Sequence, residues 1–260
     1  MPYNTLKLDC STEIAKLTLN RPERHNALSP AMMDELMAAL QEVESSAARV
    51  LILTGAGKSF CSGADLEALR ALPSQSPQQS LEDARHTSKF FRRLYAFPKP
   101  LIAAVNGAAV AGGCALATMA DFTLAVPEAQ FGYTEVRVGF MPALVSAFLV
   151  RQIGEKRACD LLLSGRVIGA EEALRMGLVT ELVSRVKLLP RAAERAGQLL
   201  RSSPVSLQST KRLLRQFSEA ELDRETNLAV QASASIRSTA DFREGLTAFL
   251  EKRKPVWRGR

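Results

Sequence analysis

The chain has 260 residues, 47% of them hydrophobic and 23% charged, so it can bury a sizeable core and is not a disordered polymer. Its formal net charge of +7 would suit nucleic acid, a membrane surface or an anionic small molecule, and charge alone does not rank these partners. Four cysteines without a C-x-x-C pair and two histidines without an H-E-x-x-H motif disfavour a metal site and predict free thiols in a reducing cytoplasm.

We expect neither a secretory leader nor a membrane span. Residues 1–9 are polar and run directly into a strand pattern. The longest apolar stretch, 101–119, is interrupted by Asn106 and by glycines, whereas a membrane span needs about 20 mainly apolar residues.

The first half of the chain alternates predicted strands with predicted helices. Apolar and polar residues alternate in the first strand, and the next ones are short apolar runs typical of strands buried on both faces. Ser29 is placed to cap a helix that has Pro30 at its first position. The predicted strands are 14–19, 49–54, 101–105 and 121–126, and the predicted helices are 29–46, 80–97 and one beginning at Gly112. This alternation predicts an α/β fold with largely parallel strands.

From about Pro142 onward the pattern is helical, with predicted helices at 142–153, 155–163, 170–176, 189–201, 205–217, 219–235 and 239–252. Residues 74–80 are rich in Gln and Ser and predict a surface loop. We place a boundary near residue 200, with a core at 1–200 and a helical oligomerisation region at 201–260. Six apolar residues in the last two helices would need a partner if they were exposed: Leu222, Leu228, Val230, Leu246, Phe249 and Leu250.

Loops rich in Gly and Ala follow the two buried strands. They span 55–65 and 106–114, at the carboxyl ends of strands where open α/β sheets bind ligands. The second loop begins a helix at Gly112, and the first N–H groups of a helix have no partner within it. Two such loops on adjacent strands could direct two N–H groups at one oxygen, as an oxyanion hole does. The alternative is that the glycines serve only tight turns and close packing.

Six motifs, in the right order over nearly the whole chain, resemble the crotonase family of enoyl-CoA hydratases and isomerases. They are Asn20-Arg21-Pro22 with Asn26-Ala27-Leu28; Ser62-Gly63-Ala64-Asp65 after Lys58 and Phe60; Pro100 to Gly107 with Ala111-Gly112-Gly113-Cys114 and Asp121; Phe131-Gly132-x-x-Glu135-x-x-x-Gly139; Ala170-Glu171-Glu172-Ala173-x-x-x-Gly177-Leu178-Val179; and Glu244-Gly245-x-x-Ala248-Phe249-x-Glu251-Lys252-Arg253.

The resemblance implies a spiral core of stacked ββα turns and a C-terminal helical trimerisation region, in a homotrimer or hexamer. It implies an acyl-CoA substrate whose thioester oxygen accepts from the N–H groups of Ala64 and Gly112, in fatty-acid metabolism. No metal and no cofactor would be needed, because the CoA is part of the substrate. The implied substrate-binding residues are Asn26, Ala27, Ala64, Asp65, Leu66, Gly112 and Gly113.

The number of glutamates at the site distinguishes a hydratase from an isomerase. Hydratases of the family carry two glutamates, and this chain has Ala115 at the first position and Glu135 at the second. One carboxylate can still move a proton between two carbons, as the family's double-bond isomerases do, so we expect an isomerase with Glu135 as the catalytic base.

Three alternatives stay open. The first is hydration of a 2-enoyl-CoA, including branched-chain or methylglutaconyl substrates, and the second is a structural Glu135 that pairs with Arg137 at the surface. The third is a degenerate member that binds RNA through its basic tail at 252–260, which we disfavour because Trp257 is the tail's one aromatic residue.

Overall fold

The computed structural model describes residues 3–259, so Arg260 of the basic tail lies outside the described residues. The strands are β1 (Leu6–Asp9), β2 (Ile14–Leu19), β3 (Val50–Gly55), β4 (Leu101–Val105), β5 (Ala109–Val110), β6 (Phe122–Ala125), β7 (Gln130–Gly132), β8 (Val167–Gly169) and β9 (Glu181–Leu182). The α-helices are α1 (Pro30–Ser45), α2 (Leu66–Ala71), α3 (Pro77–Tyr95), α4 (Gly112–Thr118), α5 (Ala143–Ile153), α6 (Glu155–Ser164), α7 (Ala170–Met176), α8 (Leu188–Leu200), α9 (Pro204–Gln216), α10 (Glu219–Ser235) and α11 (Ala240–Leu250).

The main sheet has six strands in the order β1-β2-β3-β4-β6-β9. β1 and β2 are antiparallel, and every later neighbour in this sheet is parallel. All residues of β3 and β4 are buried, as their unbroken apolar runs predict. The α/β class and the parallel pairing are confirmed, and the carboxyl ends of β3 and β4 lie side by side because their register pairs Thr54 with Ala104.

A second, three-stranded sheet in the order β5-β7-β8 was missed from the sequence, because its strands are two or three residues long. Another expectation was wrong: the predicted loop at 74–80 ends early, since α3 begins at Pro77. Ser76 and Gln79 form a reciprocal capping box there, which satisfies two backbone N–H groups at the start of the helix.

The C-terminal helices pack against the chain's own core. α10 lies across α3 and α5, and α11 lies on a 3-10 helix at Glu135–Val138. Of the six apolar residues predicted to need a partner, Leu222, Val230 and Leu246 are therefore buried within the chain, whereas Leu228 and Phe249 are 63% and 53% exposed. Across residues 3–259, none of the helices has both the length and the apolar character to cross a membrane.

Candidate active site

Asn26 holds the loop after β2 against the loop after β3. Its backbone is in the left-handed region (φ 55°), and its side chain is completely buried. Its Nδ2 donates to the carbonyl oxygens of Ala56 and Ser59 at 2.9 Å each, and its Oδ1 accepts from the N–H of Arg21 at 2.9 Å. The amide is thus fully used in joining loops, and any contribution to a bound ligand is indirect.

The N–H of Ala64 points away from the loop that contains Asn26 and Leu28. The N–H of Leu28 donates to the Gly63 carbonyl at 2.7 Å, and the N–H of Asp65 donates to the Leu28 carbonyl at 2.9 Å. This is a parallel bridge between Leu28 and Ala64, and in such a bridge the N–H of Ala64 itself points to the opposite side. Within residues 3–259, the Ala64 N–H has no hydrogen-bond acceptor.

Gly112 contributes a second N–H of the same kind. It is the first residue of α4. The N–H groups of Cys114 and Ala115 both donate to the Ala111 carbonyl. The N–H of Gly112 comes before them in the first turn and has no acceptor among the described residues. Ala111 has φ 51° and ψ −127°, a conformation that costs an alanine about 1–3 kcal/mol. Its N–H donates to the Gly132 carbonyl at 2.7 Å, which helps to hold the strained turn. Sequence analysis included Ala111 in a motif but missed its conformation, since nothing in a plain alanine signals a positive φ.

The two N–H groups belong to loops in direct backbone contact. A Cβ built on Gly63 would lie 3.7 Å from the Gly112 nitrogen and 2.9 Å from the Val110 carbonyl oxygen. A Cβ on Gly113 would overlap the carbonyl oxygen of Cys61, so glycine is required for this approach. Ala64 and Gly112 belong to two separate loops and are 48 residues apart in the chain. The contact between the two loops brings them close together in the folded protein. Free backbone N–H groups are donors that can stabilise negative charge on a bound oxygen.

Three more of the predicted substrate-binding residues lie beside Asn26 and Ala64 in the chain: Ala27, Asp65 and Leu66. Ala27 is buried, Leu66 is 37% exposed at the start of α2, and Asp65 is 5% exposed. The Asp65 carboxylate caps α2, accepting from the Glu67 N–H at 2.9 Å, and forms an ion pair with Arg21 at 2.8 Å. No cluster of three or more potential metal ligands occurs among residues 3–259.

Glu135 presents a carboxyl oxygen without a partner. It begins the 3-10 helix that follows β7, and its Oε2 atom is buried with no hydrogen bond to any described residue. Burial raises the pKa of Glu135 from 4.5 to about 7, against a lowering by its own backbone N–H. Arg137, the surface partner in the structural alternative, is exposed and makes no hydrogen bond to the Glu135 Oε2 atom. A carboxyl with a pKa near neutrality can accept a proton and give it back.

The surroundings of Glu135 contain no second carboxylate from α4. Ala115 is 1% exposed in that helix, and the nearby titratable groups are Cys114 and Tyr133, whose pKa values the Glu135 charge helps to raise. Burial is the main cause that raises the pKa of Cys114 to about 12, so this thiol stays protonated and is a poor nucleophile. The Tyr133 hydroxyl lies 3.2 Å from the Thr118 hydroxyl, in the buried interior.

Helix α11 supports the 3-10 helix that carries Glu135. A Cβ on Gly245 would overlap the carbonyl group of Val138, so glycine alone allows the two helices to approach this closely. Phe140, just beyond the 3-10 helix, packs in a tilted arrangement against Phe242 of α11, with ring centroids 5.4 Å apart. The sequence motif at 244–253 contains this glycine, but its contact with the Glu135 helix could not be inferred from the motif.

Comparisons with known proteins show the family of the chain. A family model described as enoyl-CoA hydratase/isomerase matches residues 9–260. A Thermus thermophilus protein, provisionally named an enoyl-CoA hydratase, is 43% identical over 243 residues, covering 93% of this chain and 96% of its own length. The crotonyl-CoA hydratase of Syntrophomonas wolfei is 37% identical, with 98% of both chains covered. The crystal structure of an enoyl-CoA hydratase/isomerase from Xanthobacter autotrophicus Py2 superposes with a TM-score of 0.88 at 30% identity, covering 97% of this chain and 98% of that one. This chain therefore belongs to the enoyl-CoA hydratase/isomerase, or crotonase, family.

Proposed function

We propose that the protein shifts the double bond of an enoyl-CoA thioester, with Glu135 as the single proton carrier and the N–H groups of Ala64 and Gly112 as the oxyanion hole. The observation that carries the proposal is the buried, unpartnered Oε2 atom of the half-buried Glu135, with Ala115 where the family's hydratases have a second glutamate. The substrate supplies its own CoA, so no further cofactor is required.

The proposed reaction begins with a 3-enoyl-CoA whose thioester oxygen accepts from both N–H groups. The Glu135 carboxylate takes a proton from the α carbon, and the resulting dienolate carries its negative charge on that oxygen. Protonated Glu135 then returns the proton to the γ carbon, and a 2-enoyl-CoA leaves. The raised pKa of Glu135 suits both steps, because a carboxyl near pKa 7 is a stronger base than an ordinary glutamate and still releases the proton.

Hydration is the second candidate, and the names of the relatives favour it. The Syntrophomonas relative is named a crotonyl-CoA hydratase, and crotonyl-CoA is a 2-enoyl-CoA. Water addition normally uses one group to activate the water and another to protonate the α carbon. In this chain Glu135 would have to serve both steps, since α4 supplies only Ala115 at the first of the two glutamate positions.

The experiment that separates the two reactions gives the enzyme a 3-enoyl-CoA and a 2-enoyl-CoA in parallel and weighs the products. The proposal expects the 3-enoyl-CoA to change into an isomer of unchanged mass, with little water added to the 2-enoyl-CoA. A gain of one water from the 2-enoyl-CoA, faster than any isomerisation, would establish the hydratase instead.

We also propose a homotrimer or hexamer in the cytoplasm. Support for assembly comes from exposed apolar residues between α9 and the C-terminal segment after α11, which a neighbouring copy could cover: Val205, Leu213, Leu214, Phe217, Leu228, Phe249 and Trp257. Four free cysteines fit a reducing compartment. Sedimentation at micromolar concentration tests the assembly, and a monomer would contradict it.

A further inference from the structure

We propose that the ion pair between Arg21 and Asp65 is a positioning device for the oxyanion hole, which fixes the direction of the Ala64 N–H. The inference rests on the proposed role of that N–H in binding the thioester oxygen. It adds two residues that do not touch the reacting atoms but act through Ala64.

The pair lies where the two loops meet. An Arg21 guanidinium nitrogen is 2.8 Å from an Asp65 carboxylate oxygen and donates to the Ala27 carbonyl at 2.9 Å. The Asp65 side chain is 7% exposed and the Arg21 side chain 19%, so water competes little for either group. A pair screened from water is worth more than the usual surface ion pair, and breaking one partner leaves an uncompensated charge.

Both members of the pair are anchored from a second side. The Arg21 backbone N–H donates to Asn26 Oδ1, and the second oxygen of the Asp65 carboxylate accepts from the Glu67 N–H at the start of α2. Burial would raise the pKa of Asp65, but the Glu67 N–H and the Arg21 guanidinium outweigh it and lower the pKa, so the carboxylate stays charged. The pair therefore joins the loop at 20–28 to the first turn of α2 through two fixed points.

Ala64 lies between two residues that are each hydrogen-bonded to Leu28. Its neighbour Gly63 accepts from the Leu28 N–H, and its other neighbour, Asp65, donates to the Leu28 carbonyl. The Ala64 N–H itself has no partner of its own among residues 3–259, so its direction is set by the peptides on each side. Because Asp65 carries both a backbone bond and the ion pair, a change in its side chain is expected to rotate the 64–65 segment while the rest of α2 stays capped.

The first test variant is Asp65→Asn, which keeps the shape and an oxygen that can cap α2, and removes the negative charge. The second is Arg21→Gln combined with Asp65→Asn, which leaves no buried charge unpaired and so protects the fold. The matched control is Glu181→Gln, which breaks the partly buried pair between Arg191 and Glu181 at 2.6 Å, on α8 and β9.

The readout is the absorbance of a conjugated dienoyl-CoA bound to each variant. Two N–H groups that polarise a thioester carbonyl move this absorbance to longer wavelength, and the measurement needs no turnover. We expect the parent and Glu181→Gln to give the same red shift, and both pair variants to lose at least half of it. With the turnover substrate, kcat should fall by about 10–100-fold with KM within about twofold, since a displaced donor costs less than the ~10²–10³ of a deleted one.

The outcomes separate this inference from the function on which it rests. A full red shift and parent kcat in both pair variants would overturn the positioning role while leaving the oxyanion hole intact. A parent protein that binds the dienoyl-CoA without any red shift would remove the oxyanion hole and this inference with it. The identity of the product, isomer or hydrate, affects neither result.

Discussion

Replacing Glu135 with glutamine tests the centre of the proposed mechanism. Gln keeps the size of the side chain and removes its ability to accept a proton, so an acyl-CoA should bind nearly as well while turnover collapses. Loss of a general base costs about 10²–10⁴ in rate, and here the same group also returns the proton, so we expect the upper part of that range.

The pKa of Glu135 fixes the pH dependence of the parent enzyme. With a pKa of about 7, only about a tenth of the molecules carry the carboxylate at pH 6, and about nine tenths do at pH 8. The rate at limiting substrate should therefore rise roughly tenfold over this interval and then level off. An ordinary glutamate, with a pKa near 4.5, would give a flat profile over the same pH values.

The same carboxyl should weaken the fold at high pH. Its pKa is raised in the folded state, so below pH 4.5 it is neutral whether the chain is folded or not, and it costs nothing. As the pH rises towards 7, the unfolded chain releases this proton and the folded chain keeps it, so the free energy of unfolding falls. A shift of the pKa from 4.5 to about 7 corresponds to about 3 kcal/mol, fully expressed above pH 7.

Two measurements check these expectations. Kinetics of the parent from pH 5.5 to 8.5 should show the rise, and Glu135→Gln should show a low, flat profile with unchanged binding of a non-reacting acyl-CoA. Urea unfolding at pH 5 and pH 8 should show the variant gaining stability over the parent at the higher pH. Parent-like turnover in Glu135→Gln, or a parent profile that is flat between pH 6 and 8, would refute the reasoning.

Three further substitutions, two of them with a matched control substitution, probe the surroundings of this group. Gly112→Pro removes one oxyanion donor at a helix position where proline is tolerated, and should lower kcat about 10²–10³-fold, whereas Gly112→Ala keeps the N–H and should retain most activity in the same assay. Ala115→Glu restores a second carboxylate and should add water to a 2-enoyl-CoA, seen as a mass gain; unchanged products would contradict the assigned role of this position. Gly245→Ala should displace the helix that carries Glu135 and lower kcat at least tenfold, while Gly197→Ala, in α8 with open space around it, should leave kcat unchanged and stabilise the fold by about 0.5–1 kcal/mol in thermal unfolding.

The sequence by itself determined the parts of this protein that depend on local patterns. Unbroken apolar runs identified β3 and β4, because strands buried on both faces have no polar side to display. Ser29 before Pro30 marked the start of α1, where the structure has the Ser29 hydroxyl accepting from the Met32 N–H. The order of the motifs identified the family, and the glycine-rich loops placed Ala64 and Gly112 after adjacent strands.

Only the tertiary structure decided which groups lie together and in what environment. The raised pKa of Glu135 depends on burial, which the residues beside it in the chain do not report. The contact of Gly245 with the Glu135 helix joins segments about a hundred residues apart, and the Arg21–Asp65 pair joins two loops that meet only in the folded chain. The positive φ of Ala111 could not be predicted from the sequence. An alanine adopts this φ only when surrounding contacts, such as the hydrogen bond to Gly132, offset the strain. Long-range packing and desolvation depend on which residues are close together in space. A local pattern of residue types does not show which residues those are.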